Sequence, residues 1–98
     1  MHLRFLKIFC DIVDMRSFSR AAKANGVSQS NASQVVHTLE ERMGVQLIDR
    51  SKRPFVLTPE GKLFQEGARV IVQRYDDLEH EVRSLHEAAA MRLTIASI

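Results

Sequence analysis

The chain has 98 residues, of which 45% are hydrophobic and 27% charged, with one cysteine and a net charge of +2. This length suits one small domain. No apolar run can cross a bilayer, and the N-terminus lacks a signal-peptide pattern. Because one cysteine also cannot form an internal disulfide, we expect a cytoplasmic protein with no membrane association. Residues 1–62 hold ten Lys and Arg against six Asp and Glu, which concentrates positive charge in the part that would face a nucleic acid.

The first predicted element is a helix over residues 3–14 that is apolar around most of its circumference. Phe5, Ile8 and Phe9 share one face with Ile12 at helical spacing, and only a narrow stripe is strongly polar. A helix of this kind is covered on more than one side. We therefore expect it to pack between the next two helices and a further helix.

A helix-turn-helix is predicted next. Ser17 and Ser28 are suited to cap two helices, over 18–24 and 29–43, and Gly26 suits the turn between them. A pair of alanines on the first helix allows the two helices to cross closely, which favours the DNA-binding form of the motif. The alternative interpretation is an ordinary helical hairpin in a bundle.

One face of the second helix of this motif is polar but uncharged, since no Lys or Arg occurs between Lys23 and Arg42. Its buried stripe is predicted at Ala32, Val35 or Val36, Leu39 and Met43. Amides and hydroxyls suit base edges, because Gln can pair bidentately with adenine and Ser can serve several bases. The candidate DNA-contacting residues, in a motif that runs from Phe18 to His37, are Gln29, Ser30, Asn31, Ser33, Gln34 and His37. Because this face holds no cation, attraction for phosphates is expected to come from elsewhere.

Two short β-prone runs, over 45–49 and 55–58, flank a basic tip and predict a two-stranded wing. The candidate DNA-binding residues of the tip are Arg50, Lys52 and Arg53. Directly after a candidate recognition helix, these cations favour contact with phosphates or the minor groove. A merely solvated hairpin tip is the alternative.

A long last helix begins after Thr58, which is suited to cap it, with Pro59 in the first helical position. Apolar residues then recur in 4-3 spacing, which indicates a coiled-coil-like seam. One small domain cannot cover a helix of about 45 Å, so the seam predicts a homodimer, and packing within the chain explains only its first turns. The predicted dimerisation residues are Phe64, Ala68, Ile71, Tyr75, Leu78, Val82 and Leu85.

The predicted fold class is mainly α: a winged helix-turn-helix of three helices and a two-stranded β wing, followed by a long dimerisation linker helix. We place the DNA-binding domain at 1–58, the linker helix at 59–90 and the start of a truncated second domain at 91–98. Residues 92–98 have the pattern of a first β-strand, which would need a partner strand to be stable. We therefore expect the chain to be the front end of a longer protein.

In this order of elements the chain resembles the N-terminal DNA-binding domain of LysR-type transcriptional regulators, over about residues 3–88. The matching segments are Leu3 to Leu6, Ser17 to Ala22, Val27 to Ser30, Ser33, Leu39 to Arg50 and Leu57 to Gly61. The resemblance implies linker helices that pair antiparallel in a homodimer, tetramers in full-length members, and a C-terminal domain that senses a small-molecule effector. It makes residues 91–98 the start of that effector-binding domain, so this chain alone should respond to no inducer.

The resemblance also carries over to single positions. The positions it assigns to base reading in the major groove are Gln29, Ser30, Ser33 and Gln34, and those on the wing are Arg50 and Arg53. The sequence departs from the family pattern, which usually has Pro at Ser30, Ala or Ser at Asn31, and often Arg at Gln34. Without that Arg a guanine contact or phosphate anchor is missing, which changes the expected operator but not DNA binding itself.

The sequence predicts no enzyme, cofactor or metal site. It has no Gly-rich phosphate loop and no nucleophile with a matching base, and its four histidines lack metal-ligand spacing. Cys10, on an apolar face, is expected to be a buried thiol rather than a redox sensor. The remaining alternative function is a protein-interaction module that dimerises through the long helix without binding DNA, against which the basic wing and the polar helix face argue.

Overall fold

The computed structural model describes the backbone of residues 3–96 and the side chains of residues 3–89. The elements in this part of the chain are α1 Leu3–Met15, α2 Phe18–Ala24, α3 Gln29–Met43, β1 Ile48–Asp49, β2 Val56–Leu57 and α4 Pro59–Ala96. The mainly helical fold with a two-stranded wing and a long last helix, predicted from the sequence, is confirmed.

Helix α1 lies at the centre of the core, as its broad apolar surface predicts. Its Phe9 and Ile12 side chains are fully buried, and the helix contacts α2, α3 and α4. Ala21 and Ala22 of α2 are also buried, so the small side chains lie where the helices approach closely. Truncation of a buried Phe such as Phe9 typically costs about 3–5 kcal/mol.

Local hydrogen bonds fix the turn between α2 and α3. The Oγ atoms of Ser17 and Ser28 each accept from the backbone N–H three residues further on, at 3.0 Å, and so cap α2 and α3 as predicted. Gly26 has a φ of 68°, in the left-handed region that favours glycine. The Asn25 side chain donates to the Asp11 carboxylate at 2.9 Å, which fastens the turn to α1 and orients α3.

The wing is an antiparallel hairpin that is shorter than the sequence predicts. Its paired residues are Ile48 with Leu57 and Asp49 with Val56. A side chain of α3 also holds the start of the wing, since Glu40 Oε2 accepts from the N–H of Leu47 at 2.8 Å and of Ile48 at 3.3 Å. The wing is thereby attached directly to α3.

Helix α4 begins in the core and then leaves it. Thr58 Oγ1 accepts from the N–H of Gly61 at 2.9 Å, which caps the helix as predicted. The rings of Phe9 and Phe64 pack edge to face at 5.2 Å, so the first turns of α4 lie against α1. The helix has 38 residues, but no helix within residues 3–96 is both long enough and apolar enough to span a membrane.

Two predictions about helix ends are wrong. Met43, predicted in the buried stripe of α3, is 44% exposed, because it is the last residue of the helix, where the chain turns away at Gly44. The strand predicted over 92–98 is helical as far as Ala96, and its last two residues lie outside the described ones. A helix satisfies its backbone hydrogen bonds locally, whereas a strand needs a neighbouring strand.

Candidate nucleic-acid interface

One side of α3 lines an open cleft of about 530 Å³. The residues that line it are Gln29, Ser30, Ser33, Gln34, His37 and Arg50, and we refer to this surface as the reading face. Five of the six residues predicted from α3 meet here, because i, i+3, i+4 and i+7 positions share one side of a helix. Ser33 is half-buried and the other four α3 side chains are exposed, so their hydrogen-bonding groups are available to a ligand.

Asn31 lies outside the reading face. It lines a neighbouring cleft together with Phe5 of α1 and Thr38 of α3. Its backbone N–H is the donor that Ser28 accepts in the helix cap. Ser30 and Gln34 line both clefts, so Asn31 lies beside the reading face but not on it, and its contact with DNA stays a prediction.

Arg50 folds back from the wing onto the reading face. Its guanidinium carbon lies 4.7 Å from the centre of the Phe18 ring, and its Nη1 donates to Ser33 Oγ at 3.0 Å. Helix α3 itself contributes no Lys or Arg to this face, as the sequence predicts, and the cation that reaches it comes from the wing. The periodicity of α3 describes only that helix, and nothing in the sequence spacing shows that the residue after β1 crosses to it.

The other wing cations lie at a second cleft, beside the reading face, which we refer to as the wing cleft. Its volume is about 440 Å³, and it is lined by Arg16, Phe18, Gln29, Ser33, Arg50, Lys52, Arg53, Pro54 and Phe55. The ring centres of Phe18 and Phe55 are 5.4 Å apart, and the Arg50 guanidinium lies over Phe18. Arg16, between α1 and α2, was missed in the sequence because only its charge distinguishes it there.

Acidic side chains near the interface have local partners. Ser51 donates its O–H and its N–H to the Asp49 carboxylate, and these hydrogen bonds lower the pKa of Asp49. His37 lines one cleft together with Asp49, and its Nε2 lies 3.0 Å from Glu41 Oε1. The Asp49 and Glu41 carboxylates thus each have a partner within the chain.

The predicted seam on α4 divides into two parts. Ala68 is buried and Phe64 packs against the core of the same chain. Beyond them, five apolar side chains are 46–74% exposed and form what we refer to as the α4 stripe: Ile71, Tyr75, Leu78, Val82 and Leu85. Arg69 Nη2 donates to Asp14 Oδ1 at 2.6 Å and helps to hold α4 on α1 where the stripe begins.

The structure also bears on a reactive cysteine and on a metal site. The Cys10 side chain is buried against the core, and burial raises the pKa of its thiol. Among the residues with described positions, no three His, Cys, Asp or Glu side chains are grouped so that they could hold a metal ion.

Comparison with known sequences gives one family. The family model described as bacterial regulatory helix-turn-helix protein, lysR family, matches residues 3–62. The transcriptional regulator CrgA of Neisseria meningitidis serogroup B is 36% identical over 92 residues, which cover 94% of this chain and 31% of CrgA. BenM of Acinetobacter baylyi is 36% identical over 78 residues, or 80% of this chain and 26% of BenM. The chain thus spans about three-tenths of the length of the curated relatives it matches.

Comparison with solved structures gives the same fold. The BenM DNA-binding domain in its complex with catB site 1 DNA has a TM-score of 0.84 and 32% identity, covering 90% of this chain and 95% of that one. Vibrio fischeri DarR in complex with DNA has a TM-score of 0.81 and 31% identity, covering 89% of this chain and 30% of that one. At this coverage the similarity extends beyond residue 62 into α4.

Proposed function

The chain belongs to the lysR family of bacterial regulatory helix-turn-helix proteins, and on that premise we propose that it binds double-stranded DNA sequence-specifically, as the DNA-binding part of a transcription regulator. One observation carries the proposal: the reading face and the wing cleft adjoin and share Gln29, Ser33 and Arg50. Base edges are read by hydrogen-bonding side chains such as those of the reading face, and phosphates are bound by cations such as those of the wing cleft. The names of the relatives, and the two neighbours solved with DNA, support it.

In this proposal α3 enters the major groove. The Gln29 and Gln34 amides are suited to adenine, which offers an acceptor and a donor side by side, and the Ser30 hydroxyl can serve several bases. His37, at the far end of the reading face, is the last candidate base contact. Lys52 and Arg53 neutralise phosphates or enter the minor groove.

We further propose that the α4 stripe joins two copies of the chain. Its five exposed apolar side chains repeat at heptad spacing along one helix, and such a seam is buried against another helix. Two-fold pairing would present two reading faces to one duplex, so a homodimer reads two half-sites. Residues 1–58 then act as the DNA-binding domain and residues 59–90 as the dimerisation linker.

The remaining properties belong to the whole protein. Because the relatives are transcriptional regulators and the chain spans about three-tenths of their length, we propose a non-enzymatic, cytoplasmic regulator whose effector-binding domain follows α4. A small-molecule effector would act only through that domain, and the full-length protein would form tetramers.

Selection from random duplex DNA with the purified chain tests this function. The expected product is a motif of two related half-sites in inverted orientation. A variant with Gln29→Ala and Gln34→Ala, which keeps every wing cation, should still retain DNA but enrich the motif poorly. If the folded wild-type dimer enriches no sequence and retains no DNA, the function is wrong and the chain is a protein-interaction module.

A further inference from the structure

The contact between Arg50 and Ser33 has a direction that restricts what the pair can bind. Arg50 Nη1 donates at 3.0 Å, so Ser33 Oγ is the acceptor. Within the described residues the Ser33 hydroxyl has no other hydrogen-bond partner, which leaves its own proton free. An Arg side chain has only donors. The pair therefore offers donors to a ligand at the reading face.

The positive charge strengthens this restriction. A second donor that approached Ser33 Oγ would come close to the Arg50 guanidinium and would be repelled, whereas an acceptor would be attracted. A hydroxyl that accepts from a cation is also polarised and donates more strongly. The Phe18 ring, 4.7 Å from the guanidinium carbon, holds the guanidinium against α3 instead of at the wing tip.

From this geometry, and on the basis of the proposed DNA-binding function, we infer that Arg50 and Ser33 together read a guanine in each half-site. Guanine presents two acceptors, N7 and O6, in the major groove, whereas adenine and cytosine each present an amino donor there. Thymine offers one acceptor beside a methyl group, so it satisfies only one of the two donors.

This assignment moves Arg50 from the phosphate backbone to the bases. Helix α3 contributes no Lys or Arg to the reading face, and Arg50 supplies from the wing the donor that a guanine contact needs. Lys52 and Arg53 line the wing cleft but not the reading face, so they remain the phosphate-contacting cations.

The test compares binding of the 98-residue chain to duplexes that carry the selected motif and differ at one base pair at a time. Four variants are measured: Ser33→Ala and Arg50→Lys, which break the pair, and Ser33→Thr and Arg53→Lys, which are matched controls. Wild type should prefer guanine to adenine at one position per half-site by about tenfold or more. Ser33→Ala and Arg50→Lys should both reduce that ratio at the same position, while the controls keep it.

The combination of Ser33→Ala with Arg50→Lys adds a second criterion. Because the two side chains form one contact, the double variant should lose little more discrimination than either single variant. Because both side chains lie at the interface and not in the core, the variants should fold as wild type does. Thermal unfolding checks this.

Three results would overturn the inference while leaving DNA binding intact. The first is that Ser33→Ala and Arg50→Lys weaken the base preference at two different positions. The second is an equal loss on all four bases, which would identify the acceptor as a phosphate oxygen. The third is an A·T or T·A pair, instead of a G·C pair in either orientation, at the position that both variants relax. If wild type shows no salt-dependent binding to any duplex, the proposed function fails, and this inference fails with it.

Discussion

Gly61 of α4 lies directly against the carbonyl group of Leu47, where the chain enters the wing. A Cβ atom at residue 61 would stand 2.9 Å from the Leu47 carbonyl carbon and still closer to its oxygen. That oxygen also accepts from the backbone N–H of Thr58 at 3.1 Å, so it cannot move aside without breaking this hydrogen bond at the start of α4. This contact sets the position of the wing relative to the linker helix.

Gly61→Ala should therefore destabilise the domain by about 1–3 kcal/mol, the usual range for an overpacked site. Gly67→Ala is the matched control, since it lies in the same helix with nothing near its added Cβ, and it should stabilise the fold by about 0.5–1 kcal/mol. Urea unfolding monitored by circular dichroism measures both changes. Equal stabilisation by the two substitutions would show that the close approach does not exist in solution.

Gln34→Ala should relax the base preference at one position per half-site, at a cost of about 1–3 kcal/mol on the selected operator. The reason is that Gln34 lies exposed on the reading face. Gln73→Ala removes the same amide from α4 and should leave affinity unchanged. Fluorescence anisotropy with matched and mismatched duplexes gives the comparison, and a uniform loss on every sequence would refute a base-reading role for Gln34.

Replacement of Leu78 and Val82 by Glu should produce monomers. Both side chains belong to the α4 stripe and are 50% and 59% exposed in the single chain, so charge there blocks association without disturbing the core. His80→Glu, on the opposite side of the helix, is the control and should leave dimers intact. Sedimentation velocity distinguishes the species; dimers that persist in the double variant would place the interface elsewhere.

Cys10 should react slowly with thiol reagents in the native state. Burial raises the pKa of the thiol, so less thiolate is present at about pH 8 than in an unfolded chain, and the sulfur is also shielded. The same shift means that the protonated thiol favours the folded state and that this contribution is lost as pH rises above the ordinary thiol pKa. Disulfide-exchange rates with and without urea test it. Native reaction as fast as that in urea would indicate an accessible, redox-active thiol.

Local chemistry explains how far the sequence could predict the fold. Ser17, Ser28 and Thr58 cap their helices through hydrogen bonds to residues three positions away, and the buried face of α3 follows from helical periodicity. These relationships are contained in short stretches of sequence. The same periodicity grouped five of the six candidate residues of α3 on one cleft.

Long-range geometry explains what could not be predicted. The approach of Arg50 to Ser33 joins residues that are 17 positions apart, and the hydrogen bonds of Glu40 to the start of the wing depend on how β1 meets α3. The burial of Phe64 and Ala68 depends on how much of α4 is covered by α1. None of these distances is encoded in spacing along the chain.

The central claim, that the reading face and wing bind duplex DNA, is tested most directly by a salt titration. Binding of the selected duplex is measured between about 50 and 200 mM salt, and the logarithm of the association constant should fall linearly with the logarithm of salt, by about 0.9 for each phosphate neutralised. Arg53→Gln should reduce this slope by about one per copy, and Arg83→Gln, which removes the same charge from α4, should not. A salt-independent signal, or equal slopes for the two variants and wild type, would contradict the account.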